Sequence, residues 1–307
     1  MRLGMSLTTN YADHHADRPD ARLAARHVVE RAAAARASGL DHLFVGDHHG
    51  NAMPYLQNVP ILARLLAEWG DAPAGCLFLL PLWNPVLLAE QVATLACLQQ
   101  GRFIVQCGIG TGRQQFAAMG TTLRTRPSAF EECLDLCRRL WAGETVSSEG
   151  RYELSGASIA PLPPEPPEVW HASGPAGMAR AARLGDGWLC GPGTPLEATR
   201  VEVETYLGHC GSVGRSPSAV ALRRDVYVGA DRADARAVKD RAIAAGYRGF
   251  PPDTLVAGTA EEVTEQLAAF AALGVTDVCC RHFTNDQALV LGSLERLGEV
   301  RRLVAAL

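Results

Sequence analysis

Apolar and polar positions along this chain fall into two kinds of segment that alternate. Short apolar or weakly alternating runs of strand length are followed by longer stretches in which apolar residues recur every three or four positions. Arg2–Leu7 reads as a first strand, followed by the polar stretch "TTNYADHHADRPD" and a helical run from Ala21 to Ala37 that stops at Gly39. Asp41–Val45 is the next strand, and "GCLFLLP" is a buried one. The amphipathic segment "PVLLAEQVATLACLQQ" is stopped by Gly101. Arg102–Cys107 is again strand, and "RPSAFEECLDLCRRLWAG" is a helix with Pro127 in its first turn and Gly143 after its last. In the second half "EVWHA", "DGWLCG", "AVALRRDVYVG" and "VTDVCCRHF" are strands. Between and after them lie the helical segments "PAGMARAARLG", "PLEATRVEVETYLGHCG", "DRADARAVKDRAIAAG", "TAEEVTEQLAAFAALG" and a C-terminal run from about Asn285.

The pattern therefore contains eight strand-like segments, most followed by a helix. Alternating βα units imply a parallel sheet with both faces covered, and eight of them favour a closed (β/α)8 TIM barrel over an open doubly wound sheet. One stretch departs from the rhythm. Between the fourth helix and the fifth strand, roughly residues 144 to 167, the sequence is irregular and includes "PLPPEPP", five prolines in seven residues. Such a segment is neither helix nor central strand, and it reads as an ordered excursion over one end of the barrel. No short repeat or linker divides the chain, so residues 1–307 are expected to form a single domain.

Composition narrows the function classes. Of 307 residues, 48% are hydrophobic and 20% charged, with a formal net charge of −4. A mildly acidic chain gives no reason to expect a nucleic-acid partner, and no apolar stretch approaches the ~20 residues of a membrane span. The start "MRLGMSLTTN" lacks the pattern of a secretory signal. Nine cysteines with no C-x-x-C pair point to reduced thiols in a cytoplasmic protein, most of them small core residues.

Candidate chemistry sits where strands end. In "FVGDHHG" the apolar run Leu43, Phe44, Val45 closes on Asp47, His48 and His49. In a (β/α)8 barrel the C-terminal ends of the strands form the reactive face, so a histidine here is a candidate for proton transfer. A metal site is not expected, because adjacent histidines on a strand diverge and the other histidines offer no regular acidic partners. The loop "GIGTG", Gly108 to Gly112, lacks the third glycine of a dinucleotide fingerprint, Arg113 standing there instead. Gly108 and Gly110 instead suit a tight strand exit against which a planar ligand can lie. In "HASGPAGMARAARLGDGW", Ser173 and Gly174 precede a helix that could start at Pro175. This is either a phosphate seat or an ordinary N-cap.

Several stretches together resemble the luciferase-like monooxygenase family of flavin and deazaflavin enzymes. They are "GLDHLFVGDHH", "NPVLLAEQVATLACLQQGRFIVQCGIGTG", "RPSAFEECLDLCRRLWAGETV" with "GRYELSGASIAPLP" and "ARAARLGDGW", and "AGTAEEVTEQLAAFAALGVTDV". The resemblance covers nearly the whole chain. It implies a flavin or deazaflavin ring across the C-terminal mouth of a (β/α)8 barrel, with His48 assisting proton movement. It also implies a cis, non-proline Cys76–Leu77 peptide bracing the ring, and the cofactor phosphate held at Ser173, Gly174 and Gly177. The activity it first implies is a two-component monooxygenase acting on a small organic substrate with oxygen and reduced FMN, which a separate flavin reductase supplies. The alternative is hydride transfer with the deazaflavin coenzyme F-420, of which "SGP" at the phosphate seat is reminiscent. The remote alternative is a flavin-binding protein without chemistry. A homodimer is expected. Where deazaflavin-dependent sugar dehydrogenases carry a catalytic acid, this chain has Arg113 and Gln115, so the resemblance does not extend to that activity.

Overall fold

The computed structural model describes residues 1–7, 20–50 and 55–306. The polar stretch after the first strand, with His14 and His15, lies outside the described residues, as does Met53. Eight parallel strands close on themselves. They are β1 (Arg2–Leu7), β2 (Leu43–Val45), β3 (Ala74–Leu79), β4 (Phe103–Gly108), β7 (Glu168–Ala172), β8 (Gly187–Cys190), β9 (Ala219–Val228) and β11 (Asp277–His282). Each pairs with its neighbour in that order, β11 pairs back onto both β1 and β9, and the β8–β9 ladder from Gly187↔Ala219 to Cys190↔Leu222 completes the ring. The α/β reading of one closed (β/α)8 TIM barrel therefore holds.

Helices cover the outside: α1 (Ala21–Ala37), α2 (Asn58–Trp69), α3 (Pro85–Leu98), α4 (Arg113–Ala118), α5 (Arg126–Trp141), α6 (Met178–Leu184), α7 (Leu196–Ser212), α8 (Arg232–Ala244), α9 (Ala260–Ala271) and α10 (Gln287–Ala305). Local sequence starts several of them. Asn84 accepts the N–H groups of Val86 and Leu87 just before Pro85 opens α3, and Thr259 with Glu262 forms a capping box on α9. None of the helices is long and apolar enough to cross a membrane.

Three parts depart from the sequence reading. The stretch after α5 contains an antiparallel hairpin, β5 (Val146–Glu149) and β6 (Glu153–Ala157), ahead of the proline run. A short strand, β10 (Val256–Gly258), adds to the C-terminal half of β9. α2 fills the interval between β2 and β3, for which the pattern named no helix, and its Pro60 stands at the third position, where a missing N–H costs no intrahelical bond.

Strand alternation sorts the core into two regions. Phe44, Ile104, Trp170, Leu189, Ala219, Ala221 and Cys279 pack together inside the barrel. The larger cluster, including Leu3, Met5, Leu43, Val45, Cys76 and Val105, lies between the strands and helices. The N-terminal end of the barrel is closed by charge. Asp277, fully buried, accepts from Arg2 at 2.7 Å and from Thr276 Oγ1 at 2.6 Å, with His42 Nε2 3.6 Å away. The open end is therefore the C-terminal one.

Candidate active site

Phe44 points into the barrel, and Val45 packs on its outer side. The alternation carries on past the end of β2. A Cβ at Gly46 would come within 2.7 Å of Tyr55 Oη, and the His48 ring lies 5.6 Å from the Tyr55 ring, so Gly46 and His48 share the inner side under Tyr55. Asp47 turns the other way. Its buried carboxylate accepts the Leu79 N–H at 2.8 Å and the Trp83 Nε1–H at 2.9 Å through Oδ2, and its Oδ1 lies 2.9 Å from His49 Nε2. The His49 backbone N–H donates to Gln115 Oε1 at 2.8 Å. One buried carboxylate and one amide thus tie the β2 exit to β3 and α4.

This split gives the two histidines opposite electrostatics. The bond to Asp47 holds the His49 pKa above its ordinary value. Burial pushes His48 below the ordinary value, and the nearby Asp47 carboxylate does not reverse this. Burial thus biases His48 toward its neutral form at the mouth, while His49 is a braced partner of Asp47.

The other expected residues fall as follows. The Cys76–Leu77 peptide is trans, and among the described residues the cis bond is Ala160–Pro161. The expectation fails for a physical reason: β3 is laddered to β2 through Cys76 and to β4 from Ala74 to Leu79, which leaves no place for a reversed peptide. Gly75 serves a different end. A Cβ there would lie 1.8 Å from Ile104 O, so the glycine admits the neighbouring backbone. Leu77 is part-exposed on the inner side of β3, whereas Cys76 is fully buried in the outer core and faces away from the mouth.

Gly108 ends β4 between Leu79 and Ala172, its register partners on the neighbouring strands β3 and β7. Gly110 has φ +67°, and its carbonyl accepts from Arg126 at 2.9 Å, which fixes the strand exit. At the phosphate seat, Ser173 Oγ is buried without a partner among the described residues. Gly174 is open, with nothing within 4 Å of an added Cβ. Gly177 donates its own N–H to Gly174 O at 2.9 Å and lets Ser173 pack against it, so it shapes the seat from below. An unpaired hydroxyl beside an open glycine fits a phosphate oxygen.

Sequence reasoning missed the far wall of the mouth. Arg223 and Arg281 follow Ala221 and Cys279 by two positions on β9 and β11, so they also point inward, one layer nearer the open end. Asp225, level with Arg281 in the ladder, accepts from Tyr247 Oη at 2.9 Å and from Arg248 Nη1 at 3.3 Å. The signal was present in "ALRRDVYV", where charges interrupt an otherwise apolar strand.

With this geometry described, the comparisons are informative. Residues 1–252 match the luciferase-like monooxygenase family. The chain belongs to that family. Its curated relatives include F420-dependent glucose-6-phosphate dehydrogenases, among them that of Kineococcus radiotolerans, 32% identical over 185 residues, 55% of this chain and 53% of that protein. The chain spans about half the length of the curated relatives it matches. Two solved structures share the fold of this family member over nearly the whole of both chains. A monooxygenase from Streptomyces bottropensis has a TM-score of 0.85 at 20% identity, covering 97% of this chain and 98% of that one. An F420-dependent secondary alcohol dehydrogenase bound to an F420-acetone adduct has a TM-score of 0.81 at 18% identity, covering 99% and 98%.

Proposed function

We infer that this family member uses the deazaflavin coenzyme F-420 to move a hydride to or from a small organic substrate. The observation that carries this reading is that curated relatives at 30–32% identity are named for that coenzyme. Reduced FMN with oxygen, the reading placed first from sequence, draws on solved structures below 25% identity, and those speak to the fold alone. The relatives' sugar-phosphate substrate is not carried over, because the chain spans about half the length of those proteins.

The residues present fit such a coenzyme. Ser173 and Gly174 would hold its phosphate, and Leu77, Gly108 and Gly110 would line the ring. When bound, F-420 supplies a carbon centre that accepts or returns a hydride. His48, kept neutral by burial, takes up the substrate's hydroxyl proton as the hydride leaves carbon, and gives it back in the reverse direction. Asp47, His49 and Gln115 hold the loop that aims it. Tyr55 over His48 and the apolar leucines of β3 keep water from the proton path.

Anaerobic titration with F-420 and with FMN, oxidised and reduced, tests the reading. Saturable binding of F-420 at least ~10-fold tighter than either form of FMN is expected. Tighter binding of reduced FMN returns the protein to oxygen chemistry.

A further inference from the structure

The β9–β11 side of the mouth carries more positive charge than the described residues compensate. Arg223, Arg248 and Arg281 cluster around one carboxylate, Asp225. Its Oδ2 accepts from Tyr247 and Arg248, and its Oδ1 makes an ion pair with Arg223 Nε at 3.6 Å, too long for a hydrogen bond. Among the described residues, nothing accepts from Arg223 Nε, Arg223 Nη2 or Arg281 Nε, although all three atoms are buried. Burial of guanidinium groups without acceptors is costly, and Arg281 and Arg248 both repel Arg223. Arg248 is moreover held at φ +49°, a left-handed conformation that a non-glycine residue rarely adopts. A strained, under-paired cationic cluster facing the reacting space is the signature of a site that a ligand completes.

We propose that Arg223 and Arg281 form an oxyanion subsite, and that the substrate carries a carboxylate or phosphate group which these two side chains hold. The subsite rests on the hydride-transfer reading only in assigning the anion to the substrate. Diagonal inward positions on neighbouring strands, one layer apart, place two planar forks on one wall, a geometry that suits a two-oxygen acceptor. Gln106, which also points into the barrel and lies against Cys279, adds an amide beneath them. Tyr247 and Arg248 hold the Asp225 carboxylate in place beside the pair. β11 and β9 stand two and three strands from β2 around the ring, so the reacting carbon would lie between these side chains and His48.

Calorimetric titration with inorganic phosphate, acetate and the neutral acetamide, at constant ionic strength in chloride, tests the subsite on the parent protein and on Arg281→Met. The parent is expected to bind phosphate or acetate, and the variant to lose at least ~10-fold in that affinity, with no response to acetamide in either. Preference for phosphate identifies a phosphate ester as substrate, and preference for acetate a carboxylate. Comparison with Arg281→Met separates the pair from the phosphate seat at Ser173. Arg281→Gln serves as a second variant with the same expectation. Thermal unfolding without added anion gives an independent readout: removing one of several crowded like charges should leave the midpoint unchanged or raise it. Equal anion affinity in parent and variants, or a lowered midpoint in both variants, overturns the proposal. Binding of F-420, measured separately, is unaffected by either outcome, so failure of the subsite and failure of the coenzyme reading are distinguishable.

Discussion

Asp47→Asn is the most informative single perturbation of the scaffold around His48. In the parent, Oδ2 accepts the Leu79 N–H and the Trp83 Nε1–H, and Oδ1 pairs with His49. An asparagine that keeps its carbonyl in the Oδ2 position retains both donors as neutral bonds. Charge-assisted bonds are worth ~1.5–3 kcal/mol against ~1 for neutral ones, so these two bonds lose about 2 kcal/mol together. No charge is left stranded when His49 is neutral, so the ~3–5 kcal/mol penalty of a broken buried ion pair is avoided. At lower pH the loss is larger. The folded-state pKa of His49 is raised by Asp47, so its contribution is fully present below the unfolded-state value and disappears as pH rises through the folded one. Urea unfolding of parent and variant near pH 6 and near pH 9 measures this, and the destabilisation should be greater at the acidic condition. An equal or larger loss at the alkaline condition would show that His49 is not charged by Asp47, and the bracing account of the pair would be wrong.

Further predictions follow from the same geometry. His48→Ala should bind coenzyme within a few-fold of the parent yet lose at least ~100-fold in turnover, while His49→Ala loses much less; comparable losses in the two would place proton transfer elsewhere. Gly174→Asp meets neither a steric contact nor a strained φ, so a fall in coenzyme affinity of at least ~10-fold, read by titration, reports charge beside the phosphate, and unchanged affinity moves the phosphate away from Ser173. Burial lowers the pKa of His42 and His171 to about 4 and of His282 to about 3. Their unfolded forms take up protons first, so stability should fall as pH drops below ~6.5, by up to ~1.4 kcal/mol per pH unit for each, levelling off near the folded values; an unfolding midpoint that stays flat between neutral and mildly acidic pH would refute this.

The barrel was legible because its eight strands are short, mostly apolar runs bounded by turn residues, and because parallel strands covered on both faces need no finer pattern. The divergence of His48 and His49 was legible too, since alternation is a property of adjacent residues. What Asp47 does was not. Its partners Leu79 and Trp83 lie 32 and 36 residues away, and no local pattern announces them. The cis peptide at Cys76–Leu77 came from resemblance rather than from residues, and β3 keeps its ladder to β4 unbroken through that peptide. α4 is six residues long and mostly polar, too short for periodicity to show, yet its Gln115 braces the active-site loop. Arg223 and Asp225 stood in plain view inside a strand pattern. Inward-facing charge becomes meaningful only once closure of the ring shows which face is the lumen.

The central claim is hydride transfer with a deazaflavin. Its most direct test incubates the protein anaerobically with oxidised F-420 and a panel of alcohols bearing anionic groups, lactate and glucose 6-phosphate among them, and follows the coenzyme's visible absorbance. Oxygen uptake with reduced FMN is recorded in parallel on the same preparation. The account predicts substrate-dependent bleaching of F-420 without oxygen, abolished by His48→Ala, and no substrate-dependent oxygen uptake with reduced FMN. Substrate-dependent oxygen consumption with reduced FMN, and no bleaching of F-420 by any alcohol tested, would contradict it.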